Sequence, residues 1–267
     1  MNHCMAALAA WHARADWLAR QARRAGRVSP PEARAAAARL IDASPNPTLT
    51  ERERQGSARA YGVPVVRELL THSADEAARA AAQVGLPVVL KVESPDIPHK
   101  TEAGVLRLGL KSEAEVRTAY AEVMRNAQAV TPAPRITGVL VQPMVPQRTE
   151  IMVGARVDPQ FGPMIVVGLG GIFVELLKDT AVRLAPVGVD EARRMLGELK
   201  AQRALHGFRG AEPGGPRAAG RTWSRESPSL ADDQRGRIAE LDVNPLICAG
   251  ERIIAVDALI ARPASKP

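Results

Sequence analysis

The residues of this chain whose types and spacing could do chemistry fall in a few short stretches. One is Pro87 to Glu93, an apolar run interrupted by a lysine. In a strand its side chains alternate, so Val88, Leu90 and Val92 bury together while Val89, Lys91 and Glu93 face the other way. The Lys91 ammonium either aims into a cleft to hold phosphates or guards an exposed sheet edge against aggregation. The loop that follows, Ser94 to Gly104, gathers His99, Lys100, hydroxyls and a glycine at the mouth of a hairpin. It reads as a flap over phosphates or as a solvated turn. Farther on, Gly168, Gly170 and Gly171 follow a strand, as a backbone approaching phosphate requires. A tight turn explains them equally. A Rossmann fingerprint would need GxGxxG opening a helix, and the register here is wrong for it.

Near the C-terminus Glu240, Asp242 and Asn244 stand two apart and share one face of a strand. A hairpin centred on Gly250-Glu251 places Asn244 directly opposite Asp257, with Cβ atoms about 4.5 to 5.5 Å apart. An amide oxygen and a carboxylate at that separation suit Mg²⁺, which takes few protein oxygens and leaves room for phosphate and water. A water-facing strand would show the same pattern. A slip of one residue would destroy the pairing.

The elements that must position these groups are legible as pattern. Residues 5 to 24 read as a helix, a second Ala-rich helix runs to about Asp42, and the two prolines in Ser44-Pro-Asn-Pro-Thr48 mark a linker. Ser73 with Glu76 and Ser112 with Glu115 have capping-box spacing before helical runs. Between those helices lie the apolar runs Leu86 to Val92 and Val105 to Leu110. Strands resume at Val139 to Gln142, Glu150 to Val157 and Met164 to Val167, a helix follows from Asp190 to about Ala201, and a hairpin of Ile238 to Ile247 with Arg252 to Ile260 closes the chain. Antiparallel hairpins mixed with helices indicate α+β, not a doubly wound parallel sheet. The Pro/Gly-rich stretch from Glu212 to Pro228 supports neither a helix nor a central strand.

Composition narrows the class. Hydrophobic residues make up 46% of the 267 and no apolar run approaches the roughly 20 residues of a membrane span. Membrane partners are not expected. The formal charge of +7 is spread over Ala-rich helices, and aromatic content of 3% leaves few platforms for stacking bases, so nucleic acid is not an expected partner either. Cys4 and Cys248 lack disulfide or zinc spacing, which favours a reducing, cytoplasmic setting. The first 24 residues have no h-region, though their Arg-rich character weakly resembles a transit peptide.

Taken together, LKVESPDIPHKTEAGV, VLVQPMV, DPQFGPMIVVGLGGIFVELLKDTAVRLAP, HGFRGA and ELDVNPLI followed by AVDALI resemble the ATP-grasp part of ADP-forming acyl-CoA synthetases, similar also to the succinyl-CoA synthetase β chain. The resemblance implies an α+β ATP-grasp fold, two lobes gripping ATP or ADP between them, preceded by an N-terminal helical segment. The expected bounds are 1–47 for that segment and linker and 48–262 for the ATP-grasp domain, with lobes at about 48–140 and 141–262. Carried across residue by residue, Lys91 is the phosphate-binding lysine, Gln142, Met144 and Val145 form the hinge beside adenine, and Glu150 contacts ribose or adenine. Asn244 and Asp257 match the Mg²⁺ ligands. His99 matches a histidine that relays phosphate, with Lys91 in the same catalytic group, since a neutral imidazole nitrogen can accept a phosphoryl group and return it. Lys100, Gly104, Gly170 and Gly171 are further nucleotide contacts expected from the loop and the glycine turn.

The family reaction interconverts acyl-CoA, ADP and phosphate with acid, CoA and ATP. This chain carries no CoA-binding Rossmann domain and no segment bearing the family's main phosphohistidine, so a CoA-binding, phosphohistidine-bearing subunit or domain is the expected partner. Its first 24 residues resemble the tail of a preceding CoA-ligase region. Residues 52 to 59 and 213 to 229 fit the family poorly, which suggests compensated reading-frame shifts. Two other readings stay open: a nucleotide-sensing regulatory module and a truncated, inactive remnant.

Overall fold

A computed structural model describes residues 29–97, 100–146, 148–170, 179–200, 230–249 and 252–263, with isolated positions 5, 11, 12, 15 and 202. Most of the helix expected at 5 to 24, and the whole of 213 to 229, lie outside these residues. The helices are α1 (Pro31–Ala43), α2 (Glu51–Ala60), α3 (Ala74–Val84), α4 (Glu113–Gln128) and α5 (Val189–Glu198). The strands are β1 (Leu69–Thr71), β2 (Val88–Glu93), β3 (Leu106–Leu110), β4 (Gly138–Pro143), β5 (Thr149–Asp158), β6 (Gly162–Leu169), β7 (Thr180–Leu184), β8 (Glu240–Ala249), β9 (Arg252–Ala255) and β10 (Ala258–Ala261).

Two sheets, each antiparallel throughout, divide the strands. The smaller has the order β1-β4-β2-β3, and α3 and α4 cover one face. Both helices begin as their caps dictate: Ser73 Oγ accepts from the Glu76 N–H and Ser112 Oγ from the Glu115 N–H. Val88, Leu90 and Val92 meet Ala77, Ala81, Val116 and Val123 in this lobe's core. The opposite face of β2 is buried as well, and β2 is a central strand, so the edge-guard reading of Lys91 is excluded.

The larger sheet runs β10-β8-β5-β6-β7, with β9 continuing the β10 line along β8. Its core joins Ile151, Val153, Ile165 and Val167 to residues of α1, α2 and α5. The α2 helix, within the bounds expected for the first lobe, packs here through Ala58, next to Tyr61 and Val63. Residues 52 to 59 therefore form a regular helix despite their poor family fit, started by a capping box between Thr50 and Glu53.

The segment expected as a linker is also corrected. Ser44 and Asn46 are buried, the Leu49 N–H donates to Ile260 O at 3.0 Å, and the Arg262 N–H donates to Pro47 O at 2.8 Å. The prolines stop the helix, as expected, but the extended chain then lies along the sheet. Helix α1 thereby joins the main core through Ala37 and Ile41. Around it, Tyr61 Oη donates to Asp233 Oδ2 at 3.0 Å while Gln234 Nε2 donates to Arg34 O at 3.0 Å. Replacing Ile41, which is fully buried, with Ala should cost about 2 to 4 kcal/mol in urea denaturation; a helix on a free spacer would lose almost nothing.

Candidate functional site

Between the two sheets lies a cleft of about 830 Å³. Lys91, Lys100, Gln142, Met144, Val145, Glu150, Asn244 and Asp257 all line it, although they come from seven separate elements and loops. Two predicted residues stand behind the wall instead. Gly104 has φ 65°, a conformation that favours glycine, and its carbonyl accepts from Asn126 Nδ2 at 2.8 Å and from Arg107 at 3.1 Å, which closes the hairpin loop. Gly170 presses on β5: a Cβ there would sit 2.7 Å from Glu150 Cβ, and its N–H donates to Glu150 O at 2.8 Å. Its role is to let Glu150 take its place. His99 and Gly171 lie outside the described residues.

At one end of the cleft the side chain of Lys91 is almost wholly buried. Its ammonium pairs with the Glu51 carboxylate, lies 3.5 Å from Glu68 Oε1 and donates to Val256 O at 3.2 Å. Lys100 Nζ is 2.8 Å from Glu51 Oε2, a charge contact without the direction of a hydrogen bond. Burial opposes charge on both Lys91 and Glu51, yet their mutual attraction wins: Lys91 is held above its ordinary value and Glu51 below. Burial first, and then the Glu51 charge, push Glu68 upward, so this carboxyl holds its proton at neutral pH. Arg54, also facing the cleft, has a buried Nε without a hydrogen-bond partner.

The β8 side of the cleft, next to Lys91, depends on register. Leu246 faces Ala255 and Val243 faces Ala258, which puts Asn244 opposite Asp257, as the hairpin centre predicts. The second strand is not continuous there. It breaks at Val256-Asp257, where the Asn244 N–H donates to Asp257 O at 3.2 Å, so the Asp257 side chain sits at an interruption between β9 and β10. Asp242 shares the cleft wall, and its buried Oδ1 has no hydrogen-bond partner. Burial, then Glu240 and Asp257, push its carboxyl up to about 6. The described residues hold no cluster of three or more His, Cys, Asp or Glu suited to a metal. Two aspartates and one amide form a sparser oxygen set, which fits Mg²⁺ better than a metal needing a full protein cage.

Gln142, on β4, is buried with its Oε1 lacking a partner, an acceptor open to a ligand donor. Apolar Val89, Leu108, Met144 and Ile247 stand in the same cleft. The arrangement can hold a flat, partly apolar group near Gln142, anionic groups at Lys91 and Lys100, and a divalent cation at the Asn244 end. Glu51, Glu68, Arg54 and Asp242 complete the site beyond the residues singled out by sequence. Only Asp242 had a readable signal, its shared strand face with Asn244.

Residues 41–261 match the model of the ATP-grasp domain family. The chain is 41% identical over 214 residues to the β subunit of acetate–CoA ligase (ADP-forming) II from Pyrococcus furiosus, covering 79% of this chain and 90% of that subunit. It is 39% identical to 4-hydroxybutyrate–CoA ligase (ADP-forming) from Nitrosopumilus maritimus, but over 28% of that protein's length. Among solved structures, the acetyl-coenzyme A synthetase 1 of Ca. Korarchaeum cryptofilum with coenzyme A and Mg-AMPPCP, its phosphohistidine segment pointing towards the nucleotide site, superposes with a TM-score of 0.73. Its identity is 35%, over 86% of this chain and all of that one.

Removing one partner of a buried ion pair leaves the other uncompensated, so K91M should destabilise the fold by about 3 to 5 kcal/mol near neutral pH. The sign with pH follows from Glu51, whose folded value lies below its ordinary one. In the native chain its charge stabilises the fold above the ordinary carboxylate range, and this is lost as pH falls through the folded value. In K91M burial is opposed chiefly by Lys100, and protonation of Glu51 relieves it. Urea melts should therefore show a larger deficit at about pH 7.5 than at about pH 4.5.

Proposed function

We propose that this chain, which belongs to the ATP-grasp family of ADP-forming acyl-CoA ligases, is the nucleotide-binding component of such a ligase. It would pass phosphate between ATP or ADP and a histidine on the way to acyl phosphate and acyl-CoA. The observation that carries this reading is the meeting of Lys91 and Lys100 with Asn244 and Asp257 in one interlobe cleft. Nothing in local sequence requires these residues to converge.

In this reading the adenine ring lies against Val89, Leu108 and Met144, with the unpartnered Gln142 Oε1 accepting from its exocyclic amine. The Met144 N–H already donates to Pro87 O at 2.9 Å, which ties the hinge to the start of β2. Glu150, kept in register by Gly170, receives the ribose. Lys91, Lys100 and Arg54 bind the phosphates and orient the terminal one. Asn244 and Asp257, with Asp242 beside them, would hold Mg²⁺, which supplies positive charge against the phosphate oxygens as the transferred group loosens.

The phosphoryl group then moves to an imidazole nitrogen: the bond from phosphorus to the bridging oxygen of ADP breaks as a phosphorus–nitrogen bond forms, and the reverse step regenerates ATP. His99, in the motif SPDIPHK that resembles the family's relay segment, is assigned as the relay at this site. The acyl and CoA chemistry belongs to a CoA-binding partner chain or domain that carries its own phosphohistidine. Among the described residues no helix is long and apolar enough to cross a membrane.

Isothermal titration with Mg-ADP should show one site per chain. K91M should weaken binding by about 10- to 100-fold, the loss of one charge-assisted contact, and D257A should remove the dependence on Mg²⁺. With a CoA-binding partner, acetyl-CoA, ADP and phosphate, H99A should bind Mg-ADP normally but form no ATP. Full ATP synthesis by H99A would overturn the relay, and absence of Mg-ADP binding by the native chain would overturn the nucleotide site.

A further inference from the structure

The phosphate end of the cleft has a feature that the nucleotide reading does not itself require. Both lysines converge on the same carboxylate. Glu51 is completely buried and opens helix α2, in the larger lobe, whereas Lys91 and Lys100 belong to β2 and the hairpin loop of the smaller one. The capping box between Thr50 and Glu53 fixes the first turn, and the helix N-terminus favours the negative charge placed there. Glu51 is thus a rigid anchor, and the two long lysine side chains are its mobile partners.

We propose that Glu51 is the positioning residue of the phosphate site, gathering the Lys91 and Lys100 ammonium groups at one point across the cleft. This rests on the nucleotide reading of the cleft. Among the described residues Glu51 is the one acid within ion-pair distance of Lys100. Around it stand Glu68 from the segment entering β1, Glu93 alongside Lys91 on β2, Asp257 between β9 and β10, whose charge also acts on Lys91, and Arg52 and Arg54 on its own helix. None of these other acids pairs with both lysines. Glu68 reaches Lys91 at 3.5 Å but not Lys100, while Glu93 accepts from the Arg52 N–H at 3.4 Å. A buried ammonium without a charged partner gives up its proton, and a neutral lysine holds phosphate poorly.

A merely structural Glu51 and a positioning Glu51 differ in their pH dependence. Mg-ADP affinity of the full chain is measured by titration calorimetry across about pH 6.5 to 9, a range in which unburied lysines stay charged. The native chain should show little change on the alkaline side. E51Q should bind about tenfold more weakly at neutral pH, with the gap widening several-fold further toward pH 9 as the buried Lys91 loses its proton. In a K100M background the added effect of E51Q should shrink, because part of its action runs through Lys100. The inference is overturned if E51Q binds as tightly as the native chain, or more tightly, or if its loss is the same factor at every pH. If E51Q does not fold, E51D carries the test, since it keeps the charge but withdraws it by one methylene: weaker binding with a flat profile supports the role, and native affinity overturns it. Failure of the native chain to bind Mg-ADP would sink the nucleotide reading together with this one. Native binding with an unaffected E51Q would sink this one alone.

Discussion

A charged lysine at the centre of a four-stranded antiparallel sheet is the constraint on which the rest of this molecule turns. Burying an ammonium is costly unless an opposite charge is brought to it, and the acid near β1 that reaches Lys91, Glu68 at 3.5 Å, holds its proton. The Glu51 carboxylate must therefore arrive from a helix of the other lobe. That requirement places α2 against the open face of β2, which in turn draws β9 and β10 close enough for Val256 O to accept from Lys91. The cleft is a by-product of this arrangement: two sheets held facing each other by a few charged contacts, with polar walls that neither hydrophobic core can absorb.

Along the β8 wall of the cleft, geometry comes from strand pairing. The β8 hairpin keeps one register on both sides of the Val256-Asp257 break, so interrupting the strand does not shift Asn244 away from Asp257. The break frees the Asp257 carboxylate from regular sheet packing while backbone bonds from Asn244 and Val256 hold the crossing in place. A pair built this way is stiff, because moving either residue would disturb the ladders on both sides. Gly170 performs a comparable service on β5, where the lack of a side chain lets its backbone lie directly on Glu150.

Charge balance runs through the whole cleft. Buried Glu51, Glu68 and Glu93, together with Asp257, surround Lys91 and Lys100, with Arg54 close by. Three unpartnered buried atoms, Gln142 Oε1, Asp242 Oδ1 and Arg54 Nε, belong to residues that line it. Buried polar groups left without partners are characteristic of places where a ligand completes the hydrogen bonding.

Much of the fold was legible because its signals are local. Helix caps at Ser73 and Ser112, alternation in β2 and the register of the β8–β9 pair each depend on residues a few positions apart, so the sequence by itself determined the elements, the α+β class and the Asn244–Asp257 pairing. The family motifs added the nucleotide cleft. What only the tertiary structure decided are contacts between residues far apart in the chain: Glu51 and Lys91 are separated by 40 positions, and Lys91 and Val256 by 165. The burial of both faces of β2 and the packing of residues 44 to 48 against the last strand are of the same kind. The prolines there announced the end of a helix correctly, but nothing local could reveal the strand waiting to receive the chain. Local physics fixes where an element starts and which way its side chains alternate; what those side chains meet depends on the element brought opposite.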